Sequence, residues 1–189
     1  MMSEKQQAHQ PASAYFIEEN VEKTEQHTLS VVVDNEPGVL ARVIGLFSGR
    51  GYNIEQLTVS ETMHRRHISR ITIVTSGTPM VLAQIRAQLE SIVPVHSVLD
   101  LTLEGEAIER ELALVKVAGE GESRVEALRM AEAFRARVVD ASNSSFVFEL
   151  TGKTRKINQF IELMKPLGLI EVVRTGVAAI SRGPEAMKV

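Results

Sequence analysis

A short segment between a predicted strand and a predicted helix has the residue types that can hold a small carboxylate. It reads Asp34-Asn35-Glu36-Pro37-Gly38, in which Asn or Asp can cap a helix and Pro suits the first turn. The first amides of a helix lack partners and lie at the positive end of its dipole, so they attract an anion. Gly38 lets a ligand approach the backbone, and Asn35 can bond either charge of a zwitterion. The segment is a candidate ligand site, although an ordinary capped strand–turn–helix connection has the same composition.

A second candidate segment, Gly51-Tyr52-Asn53-Ile54-Glu55, follows that helix and enters the next predicted strand. Asn53, near a helix end, can simply satisfy local backbone groups. Its amide could instead reach a ligand from across a dimer interface. The apolar neighbours Val39, Leu40 and Ile54 could receive an aliphatic side chain. The residue types leave both interpretations open.

Three other polar segments show no catalytic or metal-binding pattern. His64-Arg65-Arg66-His67 offers two histidines without a third ligand nearby, and is interpreted as a solvated hairpin tip. Gly119-Glu120-Gly121-Glu122-Ser123 lacks the lysine of a phosphate loop, and its glutamates would repel phosphate. Lys153-Thr154-Arg155-Lys156 places cations against a helix dipole, and indicates a solvated face or a partner contact. The chain is therefore predicted to be no enzyme, a small ferredoxin-like phosphatase included, and to hold no metal or cofactor.

The composition narrows the classes of protein that remain. The chain has 189 residues, 44% of them hydrophobic and 24% charged, as in soluble globular proteins. It contains no Cys, which excludes disulfides and cysteine nucleophiles and fits a reducing compartment. A net charge of −3 and an aromatic content of 4% disfavour nucleic-acid binding, including that of RNA-binding modules. No apolar run approaches the ~18 residues of a membrane span and no targeting signal is evident, so a cytoplasmic protein is expected.

Hydrophobic periodicity predicts two tandem ferredoxin-like βαββαβ units, an α+β fold. The first unit, 27–104, has predicted strands at 28–33, 52–60, 68–75 and 95–103, and its helices present Leu40, Val43, Ile44, Phe47 and Leu82, Ile85, Leu89, Ile92. After a boundary at Glu104-Gly105-Glu106, the second unit, 108–189, has strands at 112–117, 137–140, 146–150 and 169–174. Its helices present Val125, Leu128, Ala131, Phe134 and Ile157, Phe160, Ile161, Met164.

A shift of 75 residues supports the repeat, because it aligns apolar or glycine positions without a gap. It pairs Ile71 with Phe146, Ile73 with Phe148, Gly77 with Gly152, Leu82 with Ile157, Ile85 with Phe160, Leu89 with Met164, Ile92 with Leu167, Val95 with Ile170 and Val98 with Val173. Each sheet would leave one largely uncharged face without helices, so pairing between units or between chains is expected, and with it at least a homodimer.

The residues before the first unit, 1–26, are predicted to form a mobile tail. Their apolar cluster is Tyr15-Phe16-Ile17, and the alternative interpretation is a short helix that docks on a partner.

Two long motifs resemble the acetolactate synthase (acetohydroxyacid synthase) small regulatory subunit. These are Asn35-Glu36-Pro37-Gly38-Val39-Leu40-Ala41-Arg42-Val43 and Leu46-Phe47-Ser48-Gly49-Arg50-Gly51-Tyr52-Asn53-Ile54. Ser69-Arg70-Ile71-Thr72-Ile73 and the ending from Arg174 to Gly183 resemble this family too, so the resemblance covers about 27–183. The chain departs from it in its long tail and at Met63 to His67. The resemblance implies that 27–104 is an ACT domain, the part that binds an effector and dimerises.

The resemblance also implies a regulatory function. Small subunits of this family have no active site and bind a catalytic large subunit, which uses thiamine diphosphate, Mg²⁺ and FAD to condense 2-oxo acids. They raise its activity and confer feedback inhibition by valine, and often by the other branched-chain amino acids. The alternative is a free-standing ACT-domain sensor that regulates another enzyme or a transcription factor.

The family also implies where the effector binds. Asn35 and Gly38 would hold it from one chain and Asn53 from the other, with Val39, Leu40 and Ile54 as the lining. The second unit offers Gly121-Glu122-Ser123-Arg124 and Arg135-Ala136-Arg137 at the matching places, so it is not expected to bind the effector in the same way. It is expected to support the fold and to contact the catalytic subunit.

Overall fold

The first unit is a four-stranded antiparallel sheet with two helices. The computed structural model describes residues 23–63, 67–103, 105 and 107–187. The elements of this unit are β1 (Glu25–Asp34), α1 (Val39–Arg50), β2 (Gln56–Met63), β3 (Ile68–Gly77), α2 (Pro79–Glu90) and β4 (Val95–Asp100). Its strand order is β2-β3-β1-β4, so β2 and β4 are the edge strands.

The second unit repeats this arrangement and adds a strand. Its elements are β5 (Ala107–Ala118), α3 (Gly121–Phe134), β6 (Arg137–Ala141), β7 (Ser145–Gly152), α4 (Thr154–Met164), a 3-10 turn (Lys165–Leu167), β8 (Leu169–Arg174) and β9 (Ala178–Ser181). Its main strand order is β6-β7-β5-β8, while β9 pairs with the first residues of β5. The predicted α+β fold of two tandem ferredoxin-like units is confirmed.

Several predicted boundaries differ from the observed ones. The second strand begins at Gln56 rather than at residue 52, because 52–55 form a loop after α1. The fourth strand ends at Asp100, β5 begins at Ala107 rather than at residue 112, and β9 follows the strand that was expected to be last. β1 begins at Glu25, inside the predicted tail. Residues 1–22, the hairpin tip at 64–66 and the boundary residues 104 and 106 lie outside the described residues.

Each unit has its own aliphatic core between sheet and helices. In the first unit Leu29, Val31, Phe47, Ile71 and Ile85 are at most 1% exposed. In the second, the positions matched by the 75-residue shift are buried from Phe146 to Met164: Phe146, Phe148, Ile157, Phe160 and Met164. The repeat predicted from the spacing is therefore present over the strand–helix part.

The shift of 75 residues is wrong for the last strand. Val98 is 6% exposed, whereas its predicted counterpart Val173 is 55% exposed. Ser30 pairs with Leu99 in the first unit, and its counterpart Lys116 pairs with Glu171, so the last strand is offset by 72 residues rather than 75. Gly168 stands in place of Val93-Pro94 between helix and strand, and the bulge lies two residues earlier on the central strand. A shift by an odd number of residues exchanges the two faces of a strand, and Val172 rather than Val173 packs on the second core.

The outer face of the first sheet is covered by the second unit. On that face Ser30, Val32, Thr72 and Val74 are at most 5% exposed. Val74 packs with Leu101, Val177 and Ala179 in a small cluster between the units. Thr28 Oγ1 donates to Glu109 Oε1 at 2.7 Å, and Thr58 Oγ1 donates to the Thr175 carbonyl at 3.4 Å. The expected pairing between units is therefore observed for the outer face of the first sheet, and the expected homodimer stays a prediction.

Two kinds of feature are absent from the residues that the structure describes. No helix among them is long and apolar enough to cross a membrane. No group of three or more His, Asp or Glu side chains in these ranges is arranged to hold a metal ion.

Candidate functional site

The segment 35–38 joins β1 to α1 and is fastened to the elements around it. The Asn35 amide donates to the His67 carbonyl at 2.6 Å, and the Asp34 amide to the Pro94 carbonyl at 3.2 Å. Asp34 Oδ1 lies 2.7 Å from His96 Nε2 on β4. One turn into α1, Arg42 Nη1 donates to the Val93 carbonyl at 2.8 Å. The segment is therefore held by the β2–β3 hairpin on one side and by the α2–β4 connection on the other.

The start of α1 differs from the predicted cap. Neither Asp34 nor Asn35 caps the helix: Gly38 is the N-cap residue, with φ of +90°, and no side chain bonds the first amides. The first full helical bond joins the Arg42 amide to the Gly38 carbonyl at 3.0 Å, and the Val39 amide reaches the Glu36 carbonyl only at 3.4 Å. Within the described residues the amides of Leu40 and Ala41 have no backbone acceptor. These donors can bind an anion.

Gly38 is required here by its backbone conformation. Its φ of +90° lies in the left-handed region that favours glycine. A Cβ built at Gly38 would meet nothing within 4 Å, so the approach to the free amides is open. The residue thus sets the direction of the helix start and leaves it accessible.

The residues expected to line the effector site are only partly exposed. Asn35 and Leu40 are exposed, with Leu40 at 36%. Val39 is 3% exposed and packs in the first core, so its side chain does not line an open site, in contrast to what the resemblance implies. Ile54 is half-buried against the same core. Leu40 and Ile44 lie outside the buried face of α1, which is formed by Val39, Val43 and Phe47 rather than by the predicted set.

The loop that carries Asn53 is rigidly attached to the sheet. The Tyr52 amide donates to the Phe47 carbonyl at 2.9 Å, and the two rings make an edge contact at 6.0 Å. The Asn53 carbonyl accepts a hydrogen bond from Thr75 Oγ1 at 2.6 Å. Glu55 bonds Gln26 and Ser76 through its carboxylate. The backbone of Asn53 is thereby fixed while its side chain is exposed.

One chain does not bring Asn35 and Asn53 together. Asn35 follows the end of β1 that pairs with Ile68, whereas Asn53 lies beside Thr75 near the other end of β3. The eight residues from Ile68 to Thr75 span roughly 20 Å of strand. The 12-residue helix α1 separates the two loops by a similar ~18 Å. The two asparagines therefore mark opposite ends of the first unit.

The second unit lacks this loop. Its connection from β5 to α3 is Gly119-Glu120, two residues against the four from Asn35 to Gly38. Glu122 lies in the first turn of α3, where it repels an anion.

The residues that fasten the first loop, His96 and Arg42, were not predicted from the sequence, because their contacts depend on how β4 and α2 pack beside β1.

Comparison with known proteins assigns the chain to a family. A family model described as the small subunit of acetolactate synthase matches residues 110–183, and one described as an AHAS small subunit-like ACT domain matches residues 29–97. The chain belongs to the acetolactate synthase small-subunit family. The two matched segments correspond to the two units of the fold.

Relatives of this family cover most of the chain. A probable acetolactate synthase small subunit from Archaeoglobus fulgidus is 45% identical over 158 residues, which are 84% of this chain and 98% of that one. The acetolactate synthase small subunit of Aquifex aeolicus is 46% identical over 158 residues, which are 83% of this chain and 81% of that one. The crystal structure of the acetolactate synthase small subunit from Thermotoga maritima matches with a TM-score of 0.75 and 34% identity, over 85% of this chain and 99% of that one.

Proposed function

We propose that this protein is the regulatory subunit of acetolactate synthase in branched-chain amino acid biosynthesis in the cytoplasm. It activates a catalytic large subunit, which carries the thiamine diphosphate, Mg²⁺ and FAD, and it confers feedback inhibition by valine. Residues 27–104 act as the effector-binding and dimerising ACT domain, and residues 108–189 support it and contact the large subunit. Membership of the small-subunit family supports this proposal.

The separation of the two asparagine loops is the observation that carries the proposal. A ligand the size of valine cannot touch Asn35 and Asn53 of one chain when roughly 20 Å of strand lies between them. Both side chains are exposed on firmly held loops, and neither has a structural partner within the described residues. A site that uses both therefore needs a second copy of the chain.

The edge of the first sheet suits such a second copy. β2 is an edge strand with unpaired backbone groups along its outer side. Beside it Leu40 and Ile44 of α1 are each 36% exposed, and Val59, near the middle of β2, is 44% exposed. A two-fold axis near Val59 would place the Asn35 end of one chain against the Asn53 end of the other. Such an isologous dimer has two equivalent effector sites.

The chemistry of the combined site fits a small apolar amino acid. The free amides at the start of α1 would receive the carboxylate. The amide oxygens of Asn35 and Asn53 would accept hydrogen bonds from the ammonium group. Leu40 and Ile54 would contact an aliphatic side chain. Valine that joins two chains can shift the catalytic subunit only if it binds the two states differently, with a typical coupling of about 1–3 kcal/mol.

Mixing two defective variants tests this arrangement. In calorimetric titration with valine, Asn35→Ala and Asn53→Ala homodimers should each lose saturable binding. A co-refolded mixture should recover roughly a quarter of the wild-type binding capacity, because half of the dimers are mixed and each has one intact site. Full loss in the mixture would contradict a site shared between chains, and normal binding by either variant would exclude that residue.

Assays with the large subunit separate inhibition from activation. Asn35→Ala should weaken inhibition by valine and leave the activation of the large subunit unchanged, since the proposed site is not the large-subunit contact. Loss of both activities would mean that the substitution damaged folding or assembly. Leucine, isoleucine and alanine, titrated alongside valine, identify the preferred effector.

A further inference from the structure

One histidine of β4 is turned toward the end of β1, where the candidate effector segment, residues 35–38, begins. The register between β1 and β4 shifts between Val32 and Val33, and His96 is the extra residue of the resulting β-bulge. A bulge interrupts the alternation of side chains along a strand and re-aims one of them. The re-aimed ring meets a carboxylate, because His96 Nε2 lies 2.7 Å from Asp34 Oδ1.

This contact fastens the effector segment at its first residue. Asp34 ends β1, and Asn35 of the segment follows it directly. The Asp34 amide and the Arg42 side chain each donate to a backbone carbonyl of the connection between α2 and β4. Neither of these donors loses its proton in the neutral pH range, since one is a backbone amide and the other a guanidinium. Of these three contacts, the one between His96 and Asp34 can therefore change its strength with pH.

The charge of His96 is opposed mainly by Asp34. β4 packs against β1 and α2. On β1 the carboxylate of Asp34 contacts the ring, and the two side chains are half-buried, with His96 at 32% and Asp34 at 33% exposed. The charged residues at the end of α2 are Arg86 and Glu90, which pair with each other at 3.1 Å.

Three further charged or titratable residues border the effector segment. Glu36 lies within it, Arg42 lies one turn into α1, and the His67 carbonyl accepts a hydrogen bond from it. The carboxylates of Asp34 and Glu36 both repel the carboxylate of an effector. A protonated imidazole on His96 offsets the charge of Asp34, whereas a neutral imidazole leaves that charge uncompensated. Protonation of His96 should therefore favour the binding of a carboxylate at the start of α1.

The second unit, which lacks the effector segment, also lacks a histidine in its last strand. β8 has a bulge too, and the residue left out of its pairing with β5 is Ile170, which is 60% exposed. An aliphatic side chain can neither take up a proton nor bond a carboxylate. The combination of bulge, imidazole and carboxylate thus belongs to the unit that has the segment.

We propose that His96 is a positioning residue for the effector segment and makes the affinity of that segment for a carboxylate depend on pH. The protonated ring holds Asp34 against β4 and removes one negative charge from the surroundings of the site. Histidine changes its charge between about pH 5 and 8, so the effect falls near physiological pH. Because linkage is reciprocal, an effector that binds the protonated form better must take up protons when it binds. This inference rests on the proposed effector site at 35–38.

Calorimetric titration of the full chain with valine tests the dependence on pH. We expect the dissociation constant to be roughly two- to fivefold lower at about pH 5.5 than at about pH 8, as for a partly exposed ion pair. Binding between these values should take up a fraction of a proton, which is measured from the heats in buffers of different ionisation enthalpy. His96→Gln keeps an N–H donor near the place of Nε2 and does not titrate. It should bind valine with no dependence on pH and no uptake of protons.

His67→Asn is the matched control, because it removes the other histidine beside the segment. Asn tolerates the φ of +49° at this position. The variant should keep both the pH dependence and the uptake of protons. A dependence that survives His96→Gln, or one that disappears in His67→Asn, would overturn the assignment to His96.

A second measurement needs no effector. In NMR spectra recorded from about pH 5.5 to about pH 8, the amide signals of Asn35 and Gly38 should follow the titration of His96 in the wild-type chain and in His67→Asn. They should stay in place in His96→Gln. Signals that do not follow His96 would overturn the positioning role. Signals that follow it, in a chain that binds valine at neither pH, would contradict the proposed effector site and support the positioning role.

Discussion

At the scale of single residues, two ion pairs between β5 and β8 have very different surroundings. Glu111 is 2% exposed and accepts hydrogen bonds from Arg174 Nε at 2.6 Å and Nη2 at 2.8 Å, and from Thr154 Oγ1 at 3.2 Å. Glu171 lies at the surface and accepts a bond from Lys116 Nζ at 2.7 Å. The hydrogen bond and the positive charge of Lys116 hold the pKa of Glu171 below its ordinary value. Removal of one partner is therefore expected to cost far more stability at the buried pair than at the exposed one.

Glu111→Gln should strongly destabilise the second unit. It removes the negative charge opposite Arg174, whose guanidinium is 30% exposed and so remains partly desolvated. Breaking a buried pair by removing one partner costs about 3 kcal/mol or somewhat less where water reaches the other partner. Urea unfolding followed by circular dichroism measures the loss.

Glu171→Gln is the matched control on the same pair of strands, β5 and β8. It should change the midpoint of urea unfolding little, because its ion pair is exposed. The small contribution of Glu171 is present at neutral pH and disappears as the pH falls through its lowered folded pKa, since a lowered carboxyl pKa stabilises the ionised folded state. Equal effects of the two substitutions would contradict this assignment.

At the scale of the elements, one glycine determines how α4 connects to β8. Gly168 has φ of +98° and follows the 3-10 turn, and its carbonyl accepts a bond from the Ala118 amide at 2.8 Å. A Cβ on Gly168 would lie 1.8 Å from the Ala118 carbonyl oxygen. This close approach allows the short connection that sets the register of β8, and with it the packing of Val172, rather than Val173, against the second core.

Gly168→Ala should therefore lower the free energy of unfolding by about 3–5 kcal/mol, from steric conflict with the β5 backbone added to left-handed strain. Gly183→Ala is a control with the same φ of +98° and nothing within 4 Å of its added Cβ. It should cost about 1–2 kcal/mol, from backbone conformation alone. Thermal unfolding of both variants distinguishes the two contributions, and a similar loss in both would argue against the observed β8 register.

At the scale of the whole molecule, the second unit covers the outer face of the first sheet. The segment from Thr175 to Ala179 crosses that face beside Thr58 and Val74, and Glu109 accepts the hydroxyl of Thr28. Gly176, with φ of +79°, approaches so closely that an added Cβ would lie 2.8 Å from Thr58 Oγ1. The same Arg174-Thr175-Gly176 run that resembles the family is thus the contact between units.

A double-mutant cycle tests this packing. Gly176→Ala should cost about 2–3 kcal/mol, and Thr58→Ala in the same chain should recover about 1 kcal/mol of it, because the second change removes the atom in conflict. Gly105→Ala is the control, since Gly105 has φ of +115° and open space around its added Cβ. Thr58→Ala should not alter its cost. Strict additivity for Gly176 and Thr58 would contradict contact between the units in solution.

The local patterns of this chain were sufficient to predict its elements and its repeat. Alternating β-branched residues and helical apolar spacing require only neighbours along the chain, so β3, α2, β7 and α4 were placed within a few residues. The loop residues Asn35, Gly38 and Asn53 were recognisable for the same reason, since turn chemistry is local. Membership of the family followed from those motifs and is confirmed.

Features that depend on distant partners were decided by the tertiary structure alone. The shift of β8 arises from contact between Gly168 and Ala118, and β9 exists because β5 extends to Ala107 and offers it a partner. The burial of Val39 in place of Leu40 follows from the angle at which Gly38 starts α1. The distance between Asn35 and Asn53 is set by the length of β3. Because hydrogen bonds reach only about 3 Å, the proposed site needs residues from two chains.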